Sequence, residues 1–143
     1  MDEAERRLEG KLGFDRVRSL IADRCSTDYA AERVENEELS TDPSVIRKRL
    51  QLTDEMRLIL MFEENFPTSG YIDCLHFLEP IGKNASIDLL SLGRLRTMLD
   101  TLRKVTNFFR AIKDGIYPAL KQLASGFPGF PEIQRRIDGI LDK

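Results

Sequence analysis

The stretch from Ser86 to Ile112, SIDLLSLGRLRTMLDTLRKVTNFFRAI, constrains the fold more than any other part of this chain. Its apolar residues Leu92, Leu95, Leu99, Leu102, Val105, Phe109 and Ile112 recur in steps of three and four. That spacing lays them on one stripe of an α-helix. Leu89 and Met98 broaden the stripe, so the helix can meet two neighbours at once. Ser86 is expected to cap its start, with Asp88 as a first-turn anion at the positive end of the helix dipole. Lys113 and Gly115 are expected to close the other end. No proline interrupts the run, and Gly93 costs only about 1 kcal/mol relative to alanine.

A long apolar stripe needs partners, and the rest of the chain offers helices. Thr41-Asp42-Pro43 sets a capping residue before a proline at the first helical position. From there to about Glu64, Val45, Ile46, Leu50, Leu52, Met56, Ile59 and Leu60 trace a second broad stripe, the expected partner of 86–112. Shorter helices are expected over 2–12, over about 14–25 (Phe14, Val17, Leu20, Ile21, Cys25) and from Tyr29 to Asn36. Phe66 to Gly70 breaks the chain, and YIDCLHFL at 71–78 reads as one or two helical turns. Gly82 to Asn84 is expected to be a loop. Tyr117-Pro118 opens a helix to about Ala124, and Pro131 opens a last one carrying Ile133, Ile137, Ile140 and Leu141. Between them Phe127 and Phe130 sit in a turn from which both rings can plug the core. No alternating strand pattern competes with these periods. The expectation is an all-α, antiparallel helical bundle with two long central helices, about 42–64 and 86–112, and several short ones. It forms a single domain over 1–143, ends at Lys143 while still helical, and so reads as an N-terminal piece of a longer protein.

Charge is unevenly placed. Residues 1–65 carry 11 basic and 16 acidic side chains, whereas 66–143 carry 11 basic and 8 acidic, so a phosphate-bearing partner would prefer the second half. The helix at 86–112 and the residue after it concentrate that charge in Arg94, Arg96, Arg103, Lys104, Arg110 and Lys113. Arg96, Arg103 and Arg110 are seven apart and stack on one face. Two readings stand side by side. The face is solvated, with Asp100 bridging to Arg103 and Lys104 in the favourable acid-first order; or Arg96, Arg103, Lys104, Arg110 and Lys113 form a strip for nucleic-acid phosphates.

Catalytic signatures are missing. Asp73, His76 and Glu79 lie three apart beside Cys74, but a transition-metal site wants more ligands, and neither Cys25 nor Cys74 has zinc-finger spacing. Cys74, Phe77 and Leu78 are expected to face the core, with His76 covering it. Nothing local nominates a nucleophile for the single histidine. Gly82-Lys83 is followed by Asn84, and Phe77 stands where a Walker motif has glycine, so no phosphate loop is present. No catalytic, cofactor or metal residue is expected. The acidic start MDEAERRLEGKLG has no apolar core and no run is long enough to span a membrane, so the chain reads as cytoplasmic.

The stretches EGKLGFDRVRSLIADRCST and IYPALKQLASGFPGFPEIQRRIDGILDK resemble the second bacterial branch of the MutS family, at its start and just before its clamp and ATPase regions. TDPSVIRKRLQLTDEMRLIL and FPTSGYIDCLHFLEPI are similar to the helix-then-short-helix order between them. The resemblance implies a homodimeric parent with a MutS-type ATPase, using ATP and Mg, and a C-terminal nuclease-like Smr domain. It implies roles in DNA repair, binding of branched DNA, suppression of recombination and ribosome rescue through contacts with the ribosome and its RNA. None of the ATPase or nuclease residues falls within this chain. The expectation is a non-catalytic helical core module that supports such binding and meets the remaining domains of its parent. A free-standing helical protein–protein interaction domain, recruiting through the acidic first half, is the alternative; a small enzyme centred on His76 is a third.

Overall fold

A computed structural model describes residues 3–83 and 86–142, without the side chains of Gly82 and Lys83. The protein is all-α: among the described residues there are eight α-helices, one 3-10 turn and no strand. The backbone groups into two compact units, Met1–Thr41 and Asp42–Lys143, where the sequence reading has one domain.

The first unit holds α1 (Glu3–Leu12), α2 (Phe14–Ala22) and α3 (Asp28–Asn36), with α2 packed on both of the others. Gly13 turns the chain between α1 and α2 at φ 70, in the left-handed region that glycine enters without penalty. Thr27 caps α3 by accepting from the Ala30 amide at 3.2 Å. The interior of this unit is ionic. Glu9 is buried, and the Arg18 guanidinium forks onto its carboxylate and also donates to the Val34 carbonyl at 2.5 Å. The Glu9 hydrogen bond, opposed by burial, holds that guanidinium above its ordinary pKa. The apolar side chains expected to give α2 a core face stay open instead: Phe14, Val17, Leu20 and Ile21 are all exposed, and the helix stops at Ala22 rather than Cys25. Three short helices enclose too little volume for those four side chains and a buried ion pair together.

The second unit holds α4 (Pro43–Phe62), α5 (Leu75–Leu78), the 3-10 turn Glu79–Lys83, α6 (Leu89–Ala111), α7 (Pro118–Ser125) and α8 (Pro131–Leu141). Three of these helices begin with proline at the first helical position, as the sequence predicts, because that position needs no amide hydrogen. Asp42 caps α4 through the Ser44 amide at 2.7 Å. Asp88, rather than Ser86, caps α6: its carboxylate accepts the Ser91 amide at 2.8 Å and the Ser91 hydroxyl at 3.0 Å. Two donors from one serine favour the later start. Of the loop expected at Gly82 to Asn84, Gly82 and Lys83 end the 3-10 turn, whereas Asn84 lies outside the described residues.

Two apolar clusters hold this unit. Ile59 of α4, Phe109 of α6, and Tyr117 and Leu120 at α7 form the first, flanked by Phe66, which meets the Phe108 ring edge-to-face at 5.2 Å. Leu92 and Leu99 of α6 and Ile137 of α8 form the second, with Leu95 and Phe127 against it. The stripes of the two long helices meet over part of their length, through Leu52, Met56 and Ile59 of α4 and Val105, Phe109 and Ile112 of α6. α7 packs on both, α8 packs on α6, and α4 and α6 share the cluster around Ile59 and Phe109. The connections after α6 and α7 are short, so α7 and α8 fold straight back onto α6 and cover the part of its stripe that α4 leaves open. The first half of α4 is left open, with Leu50 exposed alongside Val45 and Ile46. Leu89, read as part of the α6 stripe, is exposed as well.

Within the linker from 63 to 74, Gly70 comes closest to α6 at Thr101. The Thr101 hydroxyl lies 2.9 Å from the Gly70 carbonyl, and a Cβ on Gly70 would stand 2.4 Å from that hydroxyl oxygen. Gly70 has φ 85, so both its conformation and its surroundings demand glycine.

Candidate nucleic-acid interface

The basic face of α6 is shaped by α8. Burial of Ile137 between Leu92 and Leu99 lays α8 along α6 and sets Asp138 opposite Arg96. Arg96 Nε meets Asp138 Oδ1 at 2.5 Å, a charge contact rather than an aligned hydrogen bond, and Asp142 stands 3.9 Å from the other end of the guanidinium. One turn further on, Asp100 takes Arg103 at 2.6 Å and Lys104 at 2.8 Å. Lys104 first, then Arg103, holds the Asp100 carboxyl below its ordinary pKa. This is the acid-first bridging that the spacing predicts. Arg110 and Lys113 are exposed, and among the described residues neither has a carboxylate partner.

Three clefts adjoin along this face. The first, about 710 Å³, lies between Arg96, Asp100 and Arg103 of α6 and Gln134 and Arg135 of α8. The second, about 400 Å³, runs from Arg103 past Asn107 to Arg110, and is closed opposite by Phe127, Phe130 and Gln134. The third, about 160 Å³, places Arg110 beside Lys121. Lys121 is already committed: its ammonium donates to the Ile112 carbonyl at 2.5 Å and to Asp114 at 2.7 Å, which satisfies the end of α6. Of the five cations singled out from the sequence, Arg96, Arg103 and Arg110 border one or more of these clefts; Lys104 shares Asp100 with Arg103, and Lys113 lines none of the three. Arg135 and the Phe127–Phe130 turn were not legible as part of this surface. Helical periodicity on α8 shows its apolar side but not which helix that side will meet.

The cluster around His76 does not assemble. Asp73 accepts the Leu75 amide at 3.1 Å as a local cap, and His76 is exposed with its ring edge-on to Phe77 at 4.9 Å. Cys74 is buried, and burial pushes its thiol pKa up, away from the reactive thiolate. Among the described residues no group of three or more His, Cys, Asp or Glu side chains is placed to hold a metal ion. Among the same residues no helix is long and apolar enough to cross a membrane.

Fold and surface together define a helical protein with a basic, partly self-neutralised groove. No family model matches the chain, and no solved structure matches it. It is similar to Endonuclease MutS2 of Thermomicrobium roseum, at 25% identity over 128 residues. The aligned region takes in 86% of this chain but 16% of that protein, so the chain spans only a small part of its relative's length. The likeness relates the chain to a region of a MutS2 protein.

Proposed function

We propose that the chain is a non-catalytic helical module of a MutS-like protein of DNA repair and recombination control, and that it supports nucleic-acid binding by its parent. The similarity to Endonuclease MutS2 across 86% of the chain carries this reading. In it, ATP and Mg are handled by other domains of a dimeric cytoplasmic parent, and the partners are branched DNA or ribosomal RNA. The helices act as a rigid frame, and the α6 face supplies cations. Arg110 and Lys113 meet phosphate directly. Arg103 and Lys104 exchange Asp100 for phosphate at low cost, because exposed ion pairs are worth about 0–1 kcal/mol. The test is binding of the chain to a branched DNA across a salt series. Each phosphate contact contributes about −0.9 to the slope of log affinity against log salt. Arg103→Glu with Arg110→Glu should weaken binding and flatten that slope by nearly two such contacts. Absence of binding at low salt, or indifference to the double substitution, removes the phosphate role.

A second reading has its own observation. In residues 1–41, Leu8, Leu12, Leu20 and Ile21 are each about half or more exposed, on a unit without a buried apolar residue among those described. Such a surface suits a protein partner, including the remaining domains of the parent. Leu12→Ser with Leu20→Ser should then abolish capture by those domains while DNA binding persists. Unchanged capture sinks this reading.

A further inference from the structure

We propose that the groove between α6 and the Gly126–Pro131 turn receives an unpaired nucleotide, its base against Phe130 and its phosphate on Arg103 and Arg110. The inference rests on the phosphate-contacting part of the function proposed above and names the ligand class of that surface. Three features of the groove converge on it. The first is charge: of the ten residues lining the groove, the charged ones are Arg103 and Arg110, and none is acidic. The second is a ring held in place. Phe127 is packed into the Leu92–Leu99–Ile137 cluster and braces Phe130 edge-to-face at 5.6 Å and 76°. Phe130 itself keeps 41% of its surface exposed. Pro128 and Pro131 fix the backbone on either side, and Gly129 turns it at φ 69, so the ring is presented with little entropy left to lose. The third is hydrogen-bonding capacity: Asn107 and Gln134 stand on the groove walls, and among the described residues neither side-chain amide is spent on another group.

A groove of about 400 Å³ lies within the roughly 300–1,000 Å³ range of small-ligand sites. Duplex bases are already stacked and cannot lie on an outside ring. A base in a single strand or at a junction offers a free π-face, and stacking of that kind tolerates any sequence. Arginine and amide side chains flanking one aromatic face are the combination that reads such a nucleotide.

The experiment compares the full chain and its variants for binding, by fluorescence anisotropy at low salt, to a labelled oligothymidine and to a blunt duplex of equal length. Phe130→Ala should weaken oligothymidine binding by about 5- to 150-fold, the range that stacking of one base supplies, and leave the duplex unchanged. Phe130→Leu, which keeps the apolar bulk without the π-face, should fall the same way, guarding against a folding defect. Phe130→Trp should retain binding, with its emission quenched by the oligonucleotide. If both Phe130→Ala and Phe130→Leu bind oligothymidine like the parent chain while Arg110→Glu weakens both ligands, the nucleotide pocket is wrong and the phosphate surface survives. If neither ligand binds at low salt, the nucleotide pocket and the phosphate role of this face fall together.

Discussion

Glu55 carries more of the second unit than its place in the sequence suggests. α7 begins without a side-chain cap on Tyr117, and Pro118 has no amide hydrogen to satisfy. The next two donors, the amides of Ala119 and Leu120, go to the two carboxylate oxygens of Glu55 at 3.1 and 2.8 Å. Gln51 steadies the carboxylate from one turn away, at 2.9 Å. Glu55 thus caps a helix 64 residues downstream, from inside the interface between α4 and α7. Glu55→Ala leaves buried donors unpaired and should cost about 1–3 kcal/mol by urea denaturation, with faster hydrogen exchange at the Leu120 amide. Glu55→Gln keeps one carbonyl acceptor and should lose about half as much. A pair of variants indistinguishable from the parent chain would contradict this cap. Asp54 and Glu55 diverging to different helix faces was legible in the sequence; Asp54 pairs outward with Arg57 at 2.8 Å. The task of the inward one was not, since a cap supplied from another helix leaves no local pattern.

At the scale of elements, starts were more legible than neighbours. Pro43, Pro118 and Pro131 marked three helix starts because proline's ring selects the first-turn conformation wherever the rest of the chain lies. The caps at Asp42 and Asp88 also make helix stability depend on pH. The Ser44 hydroxyl and amide hold the Asp42 carboxyl below its ordinary 3.8, and the Ser91 amide and hydroxyl do the same for Asp88. Asp100 is lowered by Lys104 and Arg103. A carboxyl depressed by folding stabilises above its unfolded pKa, and that contribution is lost as pH falls through the folded value. The melting temperature should therefore be level from about pH 7 to about pH 5 and fall from there towards about pH 2. Asp88→Asn removes one titrating cap and should make the fall shallower. A fall as steep as in the parent chain would count against Asp88 as a contributor.

For the whole molecule, the apolar clusters and the buried Glu9–Arg18 ion pair lie in different units. Both apolar clusters lie in Asp42–Lys143, whereas the first unit is centred on Glu9 and Arg18, whose side chains are 6% and 11% exposed. A buried ion pair gives little net stability, because desolvation offsets the attraction, and a unit of this size buries too little to fold strongly alone. Residues 42–143 expressed alone should therefore keep a cooperative thermal transition close to that of the full chain. Residues 1–41 alone should show little helix by circular dichroism. Loss of the transition from 42–143 would show that its clusters are insufficient.

By itself the sequence determined the all-α class, the existence of each helix and most of the helix starts. Those follow from short-range causes: periodic burial, proline geometry and carboxylate caps within three residues. Only the tertiary structure decided that α7 and α8 join α4 on the stripe of α6, and that Asp138 and the Phe127–Phe130 turn face its arginines. The amphipathic stripes of these helices are chemically alike. Which one fills which is decided by connection length and the fit of side chains such as Ile137, and that competition runs between residues far apart in the chain.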